Sequence, residues 1–300
     1  MKQTVHIVIA CSSLDTPDGY EKAITGSANL FCREGNQVTL LILDRSTQTA
    51  FKVDPEIRIR QLNLTFGISE NGNWLTRKFR LLRDLWHYKK ILKELRPDLL
   101  ICTEYQLAAA AILSNSRMFT RVIAWEHHHF GAQQRNFFWE TLFRYSYRRL
   151  DAVVCLNKDE QTYYQTLNKR TVVIPNFTAQ PLETKKANQE LQYDLLSVTR
   201  FTRTKGIDLL METAKLVLKK QPSLRWKIIA QGALEADFLH FIREEKLEKQ
   251  LLFQAVTGNN VMEEYSNARL FVMTSRNECF PLVLLEAMSQ GLPCIAFDCE

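Results

Sequence analysis

Two kinds of apolar pattern alternate along the chain. Short runs of apolar, often β-branched residues predict buried strands, and longer stretches with apolar residues every three or four positions predict amphipathic helices. The predicted strands span residues 5–10, 37–43, 57–62, 98–102, 121–125, 152–156, 172–174, 194–198, 226–230, 251–254, 270–274 and 293–297. The predicted helices span residues 22–33, 75–95, 137–149, 207–219, 236–245 and 282–290. This alternation indicates an α/β protein in which helices cover a parallel sheet.

A polar segment divides the alternation into two parts. It contains Pro181 and has no apolar periodicity, as is typical of an interdomain linker. We therefore predict two doubly wound, Rossmann-like parallel-sheet domains over residues 1–178 and 193–300, joined by a linker over residues 179–192. Sheets of this kind bind ligands at the carboxyl ends of their strands, so we expect a site in a cleft between the two domains.

Composition limits the class of protein. The chain has 300 residues, of which 46% are hydrophobic and 24% charged, as suits two globular domains. No window holds the ~20 apolar residues that a membrane span needs, and the N-terminus lacks the pattern of a signal peptide. None of the seven cysteines belongs to a CxxC pair, which favours reduced thiols and a cytoplasmic location. The strand over residues 293–297 looks central although three residues follow it, so we expect the chain to lack its last elements.

The segment "SRNECFPLVLLEAMSQG" contains two carboxylates, one before an apolar helical stretch and one inside it. Glu286 lies within the apolar run, where a charge loses its hydration unless something donates hydrogen bonds to it. Glu278 comes just before the helix begins. One interpretation is structural, with Glu278 favoured by the helix dipole and Glu286 bonded to backbone. The other is functional, with both carboxylates accepting hydrogen bonds from the hydroxyl groups of a ligand.

A basic loop opens the second predicted domain. Arg200, Arg203 and Lys205 follow a strand, and Gly206 leads into the next helix. Cations beside a helix N-terminus suit a diphosphate. The alternative is that these residues form an ordinary basic loop exposed to solvent. Gly232 ends another strand, where backbone can approach a ligand closely.

These segments together resemble the retaining glycosyltransferases of family 4. The two carboxylates form the E-x7-E pattern of that family, and "RFTRTKGIDLL" is similar to its R-x4-K-G segment. "VIPNF" resembles its strand end before the linker, "DGYEKAITGSANLF" its glycine loop and first helix, and "VIAWEHHHF" its strand that ends in histidine. The resemblance implies the GT-B fold, in which two Rossmann-like domains face each other across a cleft.

The resemblance also implies a role for each matching residue. Arg200 and Lys205 would bind the donor diphosphate and stabilise its departing charge, and His127 would approach the donor sugar. Glu278 would hold the hydroxyls of the transferred sugar and Glu286 those of the ribose. The remaining donor-site positions are Gly19, Gly232, Cys279, Phe280, Leu282 and Val283. Cys279 replaces a glycine that is usual in the family.

The implied reaction is the retaining transfer of a hexose or N-acetylhexosamine from a nucleotide sugar, most simply UDP-linked, to a lipid-linked or polysaccharide acceptor. We expect no cofactor and no metal, because the chain has no D-x-D pair and residues 127–129 lack further ligands. Two alternatives stay open. One is a UDP-sugar epimerase of the same fold, and the other is a non-catalytic partner subunit that binds nucleotide sugars.

The net charge of +6 comes from a local patch. Residues 74–96 hold eight lysines and arginines against two acidic residues, with apolar residues at helical spacing and interleaved aromatic residues. A basic amphipathic helix of this kind suits an anionic membrane surface and a peripheral location on the inner face of the membrane. An ordinary covering helix with a wet basic face is the alternative. Nothing in the sequence resembles a nucleic-acid-binding motif, so we expect no nucleic acid partner.

Overall fold

The computed structural model describes residues 4–44, 46, 48–64, 66, 74–132, 135–178, 191–256 and 261–299, without the side chains of 74–78 and 132. The chain divides into two compact units, Met1–Asn176 and Phe177–Glu300. Most of the predicted linker, residues 179–190, lies outside the described residues.

The first unit is built on a parallel sheet in the order β3-β2-β1-β4-β5-β6-β7. Its strands are β1 His6–Cys11, β2 Gln37–Ile42, β3 Arg58–Gln61, β4 Leu99–Cys102, β5 Arg121–Trp125, β6 Ala152–Cys155 and β7 Thr171–Val173. Its helices are α1 Gly19–Arg33, α2 Trp74–Leu95, α3 Tyr105–Leu113, α4 Phe137–Tyr147 and α5 Lys158–Gln165. Strand order reverses between β1 and β4, the point at which doubly wound sheets bind ligands.

The second unit repeats this topology with the order β10-β9-β8-β11-β12. Its strands are β8 Tyr193–Arg200, β9 Trp226–Gln231, β10 Leu251–Ala255, β11 Ala268–Met273 and β12 Cys294–Ala296. Its helices are α6 Ile207–Lys220, α7 Glu235–Glu244, α8 Val261–Ser266 and α9 Leu282–Ser289, and a 3-10 turn, Arg203–Lys205, precedes α6. Here the order reverses between β8 and β11. The prediction of two doubly wound parallel sheets is confirmed.

Both sheets are buried on their two faces. Val8, Ile9 and Ala10 are consecutive in β1, and all three are fully buried although their side chains alternate between faces. In the second unit, Ile228 and Ile229 are neighbours in β9 but belong to separate apolar clusters. Helices on both faces therefore explain why these strands are continuous apolar runs.

Two details differ from the sequence-based expectation. β12 is an edge strand among the described residues, whereas its composition predicted a central one. On α2 the apolar residues do not form one buried face, because Phe79 is 74% and Leu82 64% exposed while Tyr88 and Leu92 are fully buried. The helix packs through Tyr88 and Leu92 instead. No helix in the described part of the chain has the length and apolar character needed to cross a bilayer.

Candidate active site

The loops that follow β8 and β11 meet at the point where the strand order of the second unit reverses. β8 pairs with β11 in parallel, so both strands end at the same edge of the sheet. Arg200 ends β8, Lys205 lies in the loop after it, and Glu278 lies in the loop after β11. The topology therefore brings three of the predicted donor-site residues to the ligand-binding edge of one sheet.

Lys205 and Glu278 form an ion pair across these two loops. Lys205 Nζ lies 2.7 Å from Glu278 Oε1, and both side chains are largely shielded, at 20% and 12% exposure. Ser275 Oγ donates to the same carboxylate oxygen at 2.7 Å. Charge-assisted hydrogen bonds of this length are strong, so Glu278 holds the ammonium group at a defined position.

Arg276 fastens the two loops together. Its guanidinium donates to both carboxylate oxygens of Asp208 at 2.5 and 2.7 Å, and also to the carbonyl oxygen of Arg203 at 3.2 Å. The backbone N–H of Arg276 donates to the carbonyl oxygen of Thr204 at 2.9 Å. This bidentate pair lowers the pKa of Asp208 and ties the loop bearing Glu278 to the turn bearing Lys205.

Gly206 and Gly232 occupy positions that exclude a side chain. Gly206 has φ +64°, and a Cβ there would lie 1.9 Å from the carbonyl oxygen of Thr274. Gly232 has φ +144°, and a Cβ there would lie 2.8 Å from the carbonyl oxygen of Phe201. Both glycines therefore permit close backbone packing at the carboxyl ends of β8 and β9.

Glu286 is a buried carboxylate with a tyrosine partner. It is 7% exposed, and the hydroxyl of Tyr265, itself fully buried, donates to Glu286 Oε2 at 2.9 Å. Burial and the neighbouring carboxylate raise the pKa of Tyr265 well above its usual value, so the phenol stays protonated as the donor. Tyr265 lies on α8 and Glu286 on α9, which is why sequence spacing did not reveal the pair.

The N-terminus of α9 lies four residues after Glu278. Pro281 is the N-cap, and Leu282 and Val283 begin the helix at the predicted position. First-turn N–H groups lack intrahelical acceptors and suit an anion. Cys279 and Phe280, in the loop before it, are partly buried. Arg200, the last residue of β8, is exposed.

In the first unit, the predicted residues lie just after β5 and at the start of α1. His127 follows β5, and its ring lies 4.3 Å from Trp125 and 5.2 Å from Tyr20, centroid to centroid. Its Nε2 atom is buried without a hydrogen-bond partner, and burial lowers the pKa of His127 to about 3. The imidazole is therefore neutral at physiological pH. Gly19 is the exposed first residue of α1.

Glu104 contacts the start of α1, and the sequence did not reveal this residue. It follows β4, and its Oε1 atom accepts from the N–H of Ser12 at 3.2 Å and from the hydroxyl of Tyr20. Its carboxylate thus joins the loop after β1 to the start of α1. Gly19, His127 and Glu104 all belong to the first unit. That Gly19 and His127 contact the donor stays a prediction. Among the described residues, no three His, Cys, Asp or Glu side chains are grouped to hold a metal ion.

Comparison with known proteins assigns both parts of the chain. Residues 17–178 match the family model Glycosyltransferase Family 4, and residues 180–300 match Glycosyl transferases group 1. An uncharacterized glycosyltransferase of Haemophilus influenzae is 27% identical over 291 residues, which cover 96% of this chain and 79% of that protein. The amylovoran biosynthesis glycosyltransferase AmsD of Erwinia amylovora is 25% identical over 311 residues, covering 98% and 81%.

Solved structures show the same fold. A structure of a TarM mutant from S. aureus, in complex with fondaparinux, alpha-GlcNAc-glycerol and UDP, aligns with a TM-score of 0.77 at 14% identity. The alignment covers 99% of this chain and 86% of that one. This likeness confirms the predicted GT-B fold class.

Proposed function

The chain belongs to glycosyltransferase family 4, and from that membership we propose that it transfers a hexose or N-acetylhexosamine from a UDP-linked sugar, with retention, to a lipid-linked or polysaccharide acceptor. One observation carries the proposal. Lys205 and Glu278 stand 73 residues apart in the chain, yet they form an ion pair at the ligand-binding edge of a sheet. We propose that the reaction uses neither a cofactor nor a metal ion.

Fixed positive charge takes the place of a metal in this proposal. When the glycosidic bond to UDP breaks, negative charge develops on the diphosphate and must be stabilised in place. Lys205 ends the turn that leads into α6, so this cation comes from the segment directly before a helix N-terminus. Arg200 supplies a second cation at the end of β8. On donor binding, Lys205 exchanges its ion pair with Glu278 for one with the diphosphate, and hydroxyl groups of the sugar donate hydrogen bonds to Glu278.

We assign Glu286 to the ribose of the donor. Tyr265 holds one carboxylate oxygen at 2.9 Å and so fixes the orientation of the group. A carboxylate held in one orientation accepts hydrogen bonds from ribose hydroxyls without first having to reorganise. UDP as the nucleotide is supported by the TarM complex, which contains UDP and alpha-GlcNAc-glycerol.

The first unit supports a lipid-linked acceptor. Phe79, Leu82 and Trp86 lie on successive turns of α2, and all three are more than half exposed. Phe137 and Phe138 are also exposed at the start of α4, which with α2 packs on α3. Apolar side chains beside lysines and arginines suit an anionic membrane surface. We therefore propose that this unit associates peripherally with such a membrane.

Donor binding to the whole chain tests the proposed site. A ligand that binds only the native state raises the melting temperature by mass action. We expect stabilisation by UDP and UDP-sugars but not by GDP, and we expect Glu286→Ala and Arg200→Ala to abolish it. Glu263→Ala, which removes an exposed carboxylate of α8 in the same unit, is the matched control and should respond like the parent.

Turnover tests the reaction itself. UDP release from UDP-sugars in the presence of lipid-linked acceptors should be unaffected by a chelator, and NMR of the first product formed should show the anomer of the donor. UDP binding without any transfer would instead favour a non-catalytic partner subunit. If no nucleotide stabilises the chain, the assignment of Lys205, Glu278 and Glu286 to the donor is wrong.

A further inference from the structure

Helix α5 presents three side chains on one face to the segment that carries His127. Glu160, Tyr163 and Tyr164 have the i, i+3, i+4 spacing that places side chains together on a helix. Each of the three contacts the chain between residues 126 and 130, which follows β5. The function proposed above gives α5 no role.

Tyr164 fixes the residue before His127. Glu126 is 3% exposed, and the hydroxyl of Tyr164 donates to its Oε2 atom at 3.1 Å. The hydroxyl of Tyr147 on α4 donates to Oε1 of the same carboxylate. The backbone N–H of Glu126 continues the sheet by donating to the carbonyl oxygen of Val154 at 2.9 Å. Two tyrosine hydroxyl groups and one backbone hydrogen bond of the sheet thus hold Glu126 in place.

Glu160 and Tyr163 fix the residues after His127. Glu160 Oε1 accepts the backbone N–H of Phe130 at 3.2 Å and lies 3.8 Å from His129 Nε2. His129 Nδ1 accepts the N–H of Gly131 at 3.1 Å, so in the neutral ring the proton is on Nε2, toward Glu160. The ring of Tyr163 stacks on that of Phe130 with centroids 4.3 Å apart and planes 9° apart.

His127 lies between these two anchored points. Its ring contacts Trp125 and Tyr20, whereas the contacts of α5 are with the residues on either side of it. α5 therefore fixes the backbone that carries the imidazole. Glu160 is itself held at the N-terminus of α5, because the side chain of the N-cap residue Asn157 accepts the Glu160 N–H at 2.8 Å.

We propose that Glu160, with Tyr163 and Tyr164, positions His127 for glycosyl transfer, and that only ionised Glu160 holds the segment in its active arrangement. The proposal rests on the function proposed above. The ionised carboxylate accepts the Phe130 N–H as a charge-assisted hydrogen bond and attracts the His129 ring across 3.8 Å, whereas protonation leaves only a weaker neutral acceptor. Residual transfer by the protonated form would be roughly tenfold slower, since small misplacements of reacting groups are costly.

The surroundings of Glu160 make its charge sensitive to pH. Burial, followed by the nearby charge of Glu126, raises the pKa of Glu160 to about 7, against the opposing hydrogen bond from Phe130. The other titratable groups near it are His129, Cys155 on β6, and Tyr164 and Asp159 on α5. As pH falls through about 7, Glu160 takes up a proton and the anchor weakens. His127, whose pKa is lowered to about 3, does not titrate in that range.

The pH dependence of kcat tests the proposal. We expect the parent to lose activity on the acid side with a midpoint near 7, and Glu160→Gln to be roughly tenfold slower at high pH with no such midpoint. Asp159→Asn, on the exposed side of the same helix turn, should keep the acid limb with a slightly lower midpoint, because the charge of Asp159 raises the pKa of Glu160. His129→Asn should also keep an acid limb. An acid limb that persists unchanged in Glu160→Gln would overturn the proposal.

Two further measurements distinguish loss of the α5 contacts from failure of the proposed function. Tyr163→Leu, which removes the stack on Phe130, should lower kcat several-fold while leaving UDP-induced stabilisation unchanged. NMR of isotope-labelled histidine should show the His127 signals shifting near pH 7 in the parent but not in Glu160→Gln. This readout does not require turnover, so it separates failure of the anchor from failure of the proposed function. If the His127 signals respond to pH in the same way in Glu160→Gln as in the parent, the proposal is also overturned.

Discussion

Glu286 is a carboxylate in an apolar helix, and Tyr265 explains how it is accommodated. The phenol is fully buried and donates at 2.9 Å to one carboxylate oxygen. A buried carboxylate without such a donor would destabilise the folded protein. The same hydrogen bond orients the carboxylate that we assign to the ribose, so stability and donor recognition depend on one pair of atoms.

Replacing Tyr265 by phenylalanine should therefore weaken both. Hydrogen bonds to charged groups contribute about 1.5–3 kcal/mol, so we expect a loss of that order in the free energy of unfolding. We also expect UDP affinity to fall roughly tenfold, and 2′-deoxy-UDP, which lacks one ribose hydroxyl, to lose less. Urea unfolding and calorimetry measure the two effects.

Tyr193→Phe is the matched control, because Tyr193 lies in the same unit and is partly exposed. Its UDP affinity should equal that of the parent. If Tyr265→Phe unfolds more easily but binds UDP with unchanged affinity, Tyr265 has only a structural role.

Residues of the site differed in how far the sequence revealed them. Glu278, Glu286 and Lys205 stand in patterns of fixed local spacing, which the chain displays directly. Tyr265 is 21 residues from Glu286, and Glu104 is 84 residues from Tyr20. Such partners come together only when strands and helices pack, so no local pattern predicts them.

Elements position the site through contacts between loops. The turn before α6 carries Lys205 and the loop after β11 carries Glu278, and Arg276 joins them through Asp208 and the carbonyl oxygen of Arg203. The Arg276 side chain is 34% exposed, so its contribution to global stability is small. Its effect should instead fall on the geometry of the Lys205–Glu278 pair.

Replacing Arg276 by lysine tests this clamp. Lysine keeps the charge but cannot reproduce the bidentate contact with Asp208. We expect the KM for the nucleotide sugar to rise roughly tenfold with little change in melting temperature. Asp208→Asn should do the same, and the double variant should be no worse than either single one, because both remove the same contact. Additive effects in the double variant would show that the two side chains act separately.

Helices that the sequence missed have weak patterns for physical reasons. α3 is buried from Leu107 to Ile112 and apolar on all sides, so it lacks the polar stripe that marks an amphipathic helix. α8 has six residues and α5 has eight, which is too short for a period of 3.6 to be distinctive. Each predicted strand begins and ends within two residues of the observed strand, because buried parallel strands are continuous apolar runs.

The whole molecule carries its charge unevenly. Residues 1–178 contain 24 lysines and arginines against 17 acidic residues, whereas residues 179–300 contain 15 against 16. The excess in the first unit is concentrated on α2, beside the exposed Phe79, Leu82 and Trp86. Lys90 lies 5.6 Å from the centre of the Trp86 ring, so charge and apolar surface are adjacent. Adjacent charge and apolar area act together in binding to an anionic bilayer.

Vesicle binding measures this property directly. We expect the chain to bind vesicles that contain anionic lipid and not vesicles of neutral lipid, with affinity falling as salt screens the charges. The double variant Leu82→Ser with Trp86→Ser should bind at least tenfold more weakly, because both side chains would otherwise enter the interface. Leu216→Ser is the matched control, since Leu216 on α6 and Leu82 are both 64% exposed but only Leu82 lies in the basic unit. Equal losses from Leu82→Ser and Leu216→Ser would show that the membrane contact is unspecific, and undiminished binding of the double variant would exclude α2 as the contact surface.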